Sequence, residues 1–239
     1  VTRSVAAADP VAAPITGTAP VAAPAPGTDV PAVASGGLRD GFNAVRASPN
    51  ARLGIAAVAV GHTVMVGVMS MTPVHISEYV HGDVLRVVGV VLSLHIAGMY
   101  ALSPLVGWLT DRIGRRPVIL GGIGSLLAAC AVAGTAAHRT PMLSVGLVLL
   151  GLGWSGTMVA GSTLLSESVG TVVRPAAQGL SDLVMGLAGA LAGALSGLVV
   201  GWSSYATLTV LAAIVTVPLV ALALRRTVIR GGELEGAVD

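Results

Sequence analysis

His62, His95 and Asp182 are ionisable side chains set within long apolar stretches of this sequence. A charge at membrane depth is costly, so such groups are functional candidates by default. An imidazole titrates near neutrality, and His62 or His95 could therefore pass a proton in a coupled cycle. The competing role is that of a hydrogen-bonded packing residue. Asp182 follows Gln178 by one helical turn, with Met185, Gly186 and Gly189 on the same face. It can line a cavity or brace a gate at one end of the membrane, and its position about two turns into its run favours the brace. Met65, Met69, Ser93, Trp154, Ser162 and Ser181 are further cavity candidates.

These groups must be positioned by helices. Six apolar runs cover Gly54–Ile76, Val87–Thr110, Pro117–Ala137, Pro141–Ser166, Pro175–Trp202 and Ser203–Leu224. Each reaches the ~20 residues that span ~30 Å of hydrocarbon at ~1.5 Å per residue. The runs lack strand alternation, and lipid leaves a spanning backbone no partner but itself, so helices are expected. Charged residues make up 10% of the chain, against about 25% in soluble domains. The fold expected is all-α and integral to the membrane, a bundle of six transmembrane helices over residues 51–226.

The flanks carry other signals. Residues 1–37 hold six prolines and many alanines and read as a disordered linker with no signal-peptide core. Residues 38–50 read as an amphipathic juxtamembrane segment with Leu38, Phe42 and Val45 on one stripe. Residues 227–239 read as a cytoplasmic tail. With residue 1 on the cytoplasmic side, that side collects Arg39, Arg46, Arg52, Arg112, Arg115, Arg116, Arg174, Arg225, Arg226 and Arg230, leaving Arg86 and Arg139 outside. That asymmetry places both termini in the cytoplasm, with the plasma membrane as the expected location. A net charge of +2 gives no argument for nucleic acid, and the single Cys130 forms no intrachain disulfide.

Between the second and third runs the chain reads Gly107-Trp108-Leu109-Thr110-Asp111-Arg112-Ile113-Gly114-Arg115-Arg116. Gly107 would let a helix end approach its neighbour, Asp111 could cap a helix or pair with arginine, and Gly114 permits a tight reversal. The three arginines offer forked donors to carboxylates. This loop resembles the signature G-x-L-x-D-R-x-G-R-R/K of the major facilitator superfamily, and the resemblance extends over residues 52–226. It implies helices seven to twelve of a twelve-helix transporter that moves a small solute by alternating access. The partner implied is a second six-helix half, covalently attached or supplied by another copy in a dimer. It further implies a pairing of the motif arginine Arg112 with Glu167, and a partner for Asp111 in the opposite half.

Gly189, Gly193, Gly197 and Gly201 repeat every four residues, a small-residue face suited to close helix packing. Gly151, Gly153, Gly156 and Gly161 read the same way. Some drug-exporting members of the family carry a Gly-Pro-rich motif on the pseudo-equivalent helix, and the proline is missing here. No phosphate-binding loop is present, so an ion gradient is the expected energy source, with no cofactor. Proton-coupled efflux is one form this could take. Two other readings stay open beside transport: a non-transporting truncated or regulatory half, and a protease. Gly153-Trp154-Ser155-Gly156 resembles the rhomboid intramembrane proteases, but no histidine follows His138 to activate Ser155. That reading is rejected, and no enzymatic activity is expected.

Overall fold

The computed structural model describes residues 37–224. The linker expected over 1–37, apart from Gly37, and the tail expected over 227–239 lie outside the described residues. Among the described residues all regular structure is helical, and six helices are long and apolar enough to cross a membrane. This is a multi-pass membrane protein.

Sequence features set the ends of these elements. Helix α1 spans Leu38–Ala47, and the Asp40 carboxylate accepts from the Gly37 N–H at 3.0 Å. Helix α2, Pro49–Tyr79, starts on Ser48, whose hydroxyl accepts from Ala51 N–H at 3.2 Å, with Pro49 in the first turn. The second crossing is broken in two: α3, Val84–Tyr100, and α4, Ser103–Ile113. Pro104 has no N–H to continue the ladder, and the Ser103 hydroxyl turns back to the Met99 carbonyl at 2.9 Å. Helices α5 (Arg115–Thr135), α6 (Thr140–Glu167) and α7 (Arg174–Trp202) are continuous. The last crossing divides into α8, Tyr205–Val215, and α9, Val217–Leu224, just before Pro218.

Helix α6 is the hub, and glycines make it so. A Cβ at Gly54 on α2 would lie 2.6 Å from the Gly161 carbonyl oxygen, and one at Gly161 would lie 2.9 Å from the Gly54 oxygen. Gly151 meets the His95 carbonyl on α3 in the same way, and Gly153 meets Gly122 on α5. Lipid supplies no hydrophobic drive between helices, so such backbone proximity carries the association. Interhelical hydroxyl bonds add to it. Ser70 meets Ser196 at 2.8 Å, Thr72 meets Tyr205 at 2.9 Å, and Ser125 donates to the Leu149 carbonyl at 2.7 Å.

Helices α1 and α7 meet their neighbours through small residues. On α1 the buried residues are Gly41 and Val45, while Leu38 and Phe42 are exposed. Gly41 lets α1 lie flat on Ala176 and Ala177, and this turns the larger apolar groups outward. On α7, Gly189 packs against His62 and Gly193 against Val66, but Gly197 and Gly201 face open space. Each four-residue step advances about 40° around a helix, so a stripe of four glycines drifts off its neighbour.

Candidate functional site

The arginine-rich end holds the most connected polar cluster. Gly114 separates α4 from α5 with φ 97° and ψ 163°, a backbone region almost confined to glycine. Arg115, the first residue of α5, reaches three neighbours. Its Nε and Nη2 donate to the two Glu167 carboxylate oxygens at 2.9 and 2.6 Å, a bidentate fork onto the end of α6. Its Nη1 donates to the Thr110 carbonyl at 3.1 Å, serving a carbonyl left over at the α4 terminus. Its Nη2 also lies 3.3 Å from Asp111 Oδ1. Beside it, Arg116 Nη2 donates to Asn50 Oδ1 at 2.9 Å and joins the start of α2 to the same cluster.

Three sequence expectations change here. Glu167 pairs with Arg115, not with Arg112. The helix phase explains it: Arg115, Val118, Ile119 and Gly122 share one stripe, and that stripe packs on α6. Arg112 belongs instead to the last turn of α4, where its guanidinium lies 5.7 Å from the Trp108 ring one turn back. Asp111, expected to find its partner outside the chain, meets Arg115 within it. Gly107 does not mediate a close approach in this bundle, since a Cβ there would find no atom within 4 Å.

Deeper in the bundle the structure sorts the ionisable candidates. His95 on α3 is fully buried, its Nδ1 2.8 Å from the Leu147 carbonyl and its Nε2 without a hydrogen-bond partner among the described residues. That placement seals the ring between α3 and α6. His62 on α2 is half-buried, and its Nδ1 accepts from Trp154 Nε1 at 3.2 Å. Tyr100, at the end of α3, meets Trp154 edge-to-face with ring centres 6.0 Å apart. Asp182 is exposed on α7 and forms no hydrogen bond or ion pair with the described residues. Gln178 Nε2 donates to Ser166 Oγ at 2.6 Å, tying α7 to the end of α6.

Among the other cavity candidates, Met65 and Ser181 are buried, and Ser93 and Ser162 bond their own helices. Ser155 is buried against Ser103 Oγ at 3.2 Å rather than beside an imidazole, which leaves it no base.

Sequence reasoning missed a clasp at the opposite end. His75 stacks on Tyr205 with centres 4.5 Å apart and planes within 2°. Its Nδ1 lies 3.3 Å from Glu78 Oε2 and its Nε2 3.1 Å from the Ala137 carbonyl. The Glu78 spacing was legible at i+3, but the other two partners come from distant crossings.

Comparison with known proteins agrees with this architecture. The chain is 39% identical over 169 residues to the uncharacterized MFS-type transporter YddS of Bacillus subtilis, covering 70% of this chain and 38% of the relative. It is 37% identical to YdeG of the same organism, covering 70% and 39%. It is 26% identical to the riboflavin transporter RfnT of Brucella anthropi, covering 72% and 44%. The chain thus spans about two fifths of the length of the relatives it matches. The family described as the Major Facilitator Superfamily matches residues 53–237. Six crossings, the Asp111–Arg116 hinge loop and this match agree: the chain belongs to the major facilitator superfamily.

Proposed function

We propose that this chain is one six-helix half of a secondary transporter that moves a small solute by alternating access. The relatives named as transporters are more than twice as long as the matched segment, so a second half is part of this reading. It is covalently attached or supplied by a second copy. The observation that carries the proposal is the uneven burial of the crossings. In the α7 crossing only 11% of the apolar window is buried, and in the α3–α4 crossing 22%, whereas α2 and α6 reach 50%. The under-buried face of α7 bears Asp182. A carboxylate facing lipid would be expensive, so this face borders an aqueous cavity shared with the second half.

In this reading the arginine-rich end is cytoplasmic and lies at the plasma membrane. The Arg115–Glu167 fork holds the α4–α5 hinge against α6 while the two halves rock. Asp182, unpaired among the described residues and open to the cavity, carries the coupling proton. This assigns coupling to Asp182 rather than to His62 or His95, whose Nδ1 atoms are already engaged. The relative RfnT, named as a riboflavin transporter, supports a small organic molecule as the solute. A non-transporting or regulatory half is the second reading. The exposed carboxylate on a membrane-spanning face speaks against it, because a scaffold gains nothing from a charge at that depth.

The test uses the native polypeptide in liposomes loaded with a pH-sensitive dye and exposed to a panel of small solutes. At least one solute is expected to drive a change of internal pH. Asp182→Asn should abolish that signal while solute exchange in the absence of a proton gradient persists. A signal unchanged by Asp182→Asn would remove this residue from coupling.

A further inference from the structure

An aromatic shelf runs across the bundle at the depth of its broken crossing. Tyr100 closes α3, Trp154 stands on α6, His62 stands on α2, and the His62 ring edge rests over Gly189 on α7. Indole Nε1–H can only donate, so His62 Nδ1 is the acceptor, and a neutral imidazole then carries its proton on Nε2. No protein acceptor among the described residues meets that Nε2–H. A Cβ at position 189 would lie 2.8 Å from Nε2, so glycine is what lets α7 pass this close to the half-buried ring. Tyr100 keeps 59% of its surface exposed although its edge-to-face contact fixes its ring.

From this arrangement we infer that the shelf binds a planar heteroaromatic solute with a hydrogen-bond acceptor in its ring plane. This rests on the transport reading and names its substrate class. The Tyr100 and Trp154 planes lie 71° apart, so the solute stacks on one ring and meets the other edge-on, and its ring nitrogen or carbonyl accepts from His62 Nε2–H. Flat rings gain from offset or edge-to-face packing on such aromatics. A polyol would need several donors and acceptors, and the shelf offers one free imidazole donor and the Tyr100 hydroxyl. The inner position of the shelf follows from its supports. Its residues stand on α2, α3, α6 and α7, and an indole–imidazole bond facing lipid would leave a polar edge without water.

Acridine is the probe, and anthracene is its isostere without the ring nitrogen. The native polypeptide is placed in lipid nanodiscs with Trp154 as its sole tryptophan, Trp108→Phe and Trp202→Phe included. Acridine is expected to quench Trp154 saturably at mildly alkaline pH, with an affinity about 10-fold above that of anthracene. His62→Phe should erase that difference and leave anthracene binding unchanged. Tyr100→Leu should weaken both, and it serves as a second variant should His62→Phe fold poorly. Equal affinities for the two probes, or quenching that never saturates, would overturn the shelf. If the solute-driven pH signal persists in that case, the transporter reading stands with a non-aromatic solute. If acridine binds as expected but no solute moves protons or exchanges, the shelf stands and the transporter reading falls.

Discussion

Gly161→Leu is expected to prevent the bundle from assembling, with the yield of monodisperse protein in detergent falling by more than about 10-fold. A side chain at this position meets backbone, not a flexible tip. Its Cβ alone would lie 2.9 Å from the Gly54 oxygen and 3.1 Å from the Ala57 Cβ. Overpacking of this kind costs about 1–3 kcal/mol where side chains can yield, and more where two helix backbones must separate. Helix α6 also holds α3 and α5 through Gly151 and Gly153, so moving it off α2 disturbs every crossing it touches. Gly124→Leu is the control, because a Cβ there finds no atom within 4 Å and the position is exposed. Equal yields from Gly161→Leu and the parent would contradict the close-packed α2–α6 pair.

The second large effect lies at the hinge. Glu167→Gln is expected to lower the solute-driven pH signal roughly 10-fold, the scale of coupling between a remote latch and a transport site. Gln keeps one acceptor oxygen and turns an N–H donor toward the other guanidinium N–H. The two-point fork from Arg115 therefore falls to a single bond, and the carboxylate charge is lost. Arg112→Ala is expected to change the same signal by about twofold at most, since exposed single cation contacts contribute little. The motif implied the opposite assignment of arginines, with Arg112 rather than Arg115 on Glu167. A larger loss from Arg112→Ala than from Glu167→Gln would return the latch to the position the motif implied.

That reversal shows where the sequence was readable. The crossings were legible because length and hydropathy fix them: the expected Pro175–Trp202 run and the observed Arg174–Trp202 helix differ by one residue. Helix α1 falls within the expected segment 38–50, while the small Gly41 that seats it on α7 was hidden beside a stripe of large apolar residues. The Arg115–Glu167 pair was within reach, since Arg115 stands on the Val118–Ile119–Gly122 stripe of α5. The clasp of His75, Tyr205 and Ala137 was not legible, because its members lie 62 and more residues apart and no periodicity links them. The same holds for the Tyr100–Trp154–His62 shelf, whose three rings come from separate crossings.

The most direct measurement of the central claim is sided labelling at Gly186, one turn beyond Asp182 on the exposed face of α7, where an added side chain has open space. Gly186→Cys is made in a background where Cys130, buried in the bundle, and any other cysteine of the native polypeptide are replaced by serine. A membrane-impermeant maleimide is then applied to right-side-out and to inside-out vesicles. Alternating access predicts labelling from both faces. Labelling only by a lipid-permeant reagent, or from one face alone, would show that this surface does not border a cavity opening to each side in turn.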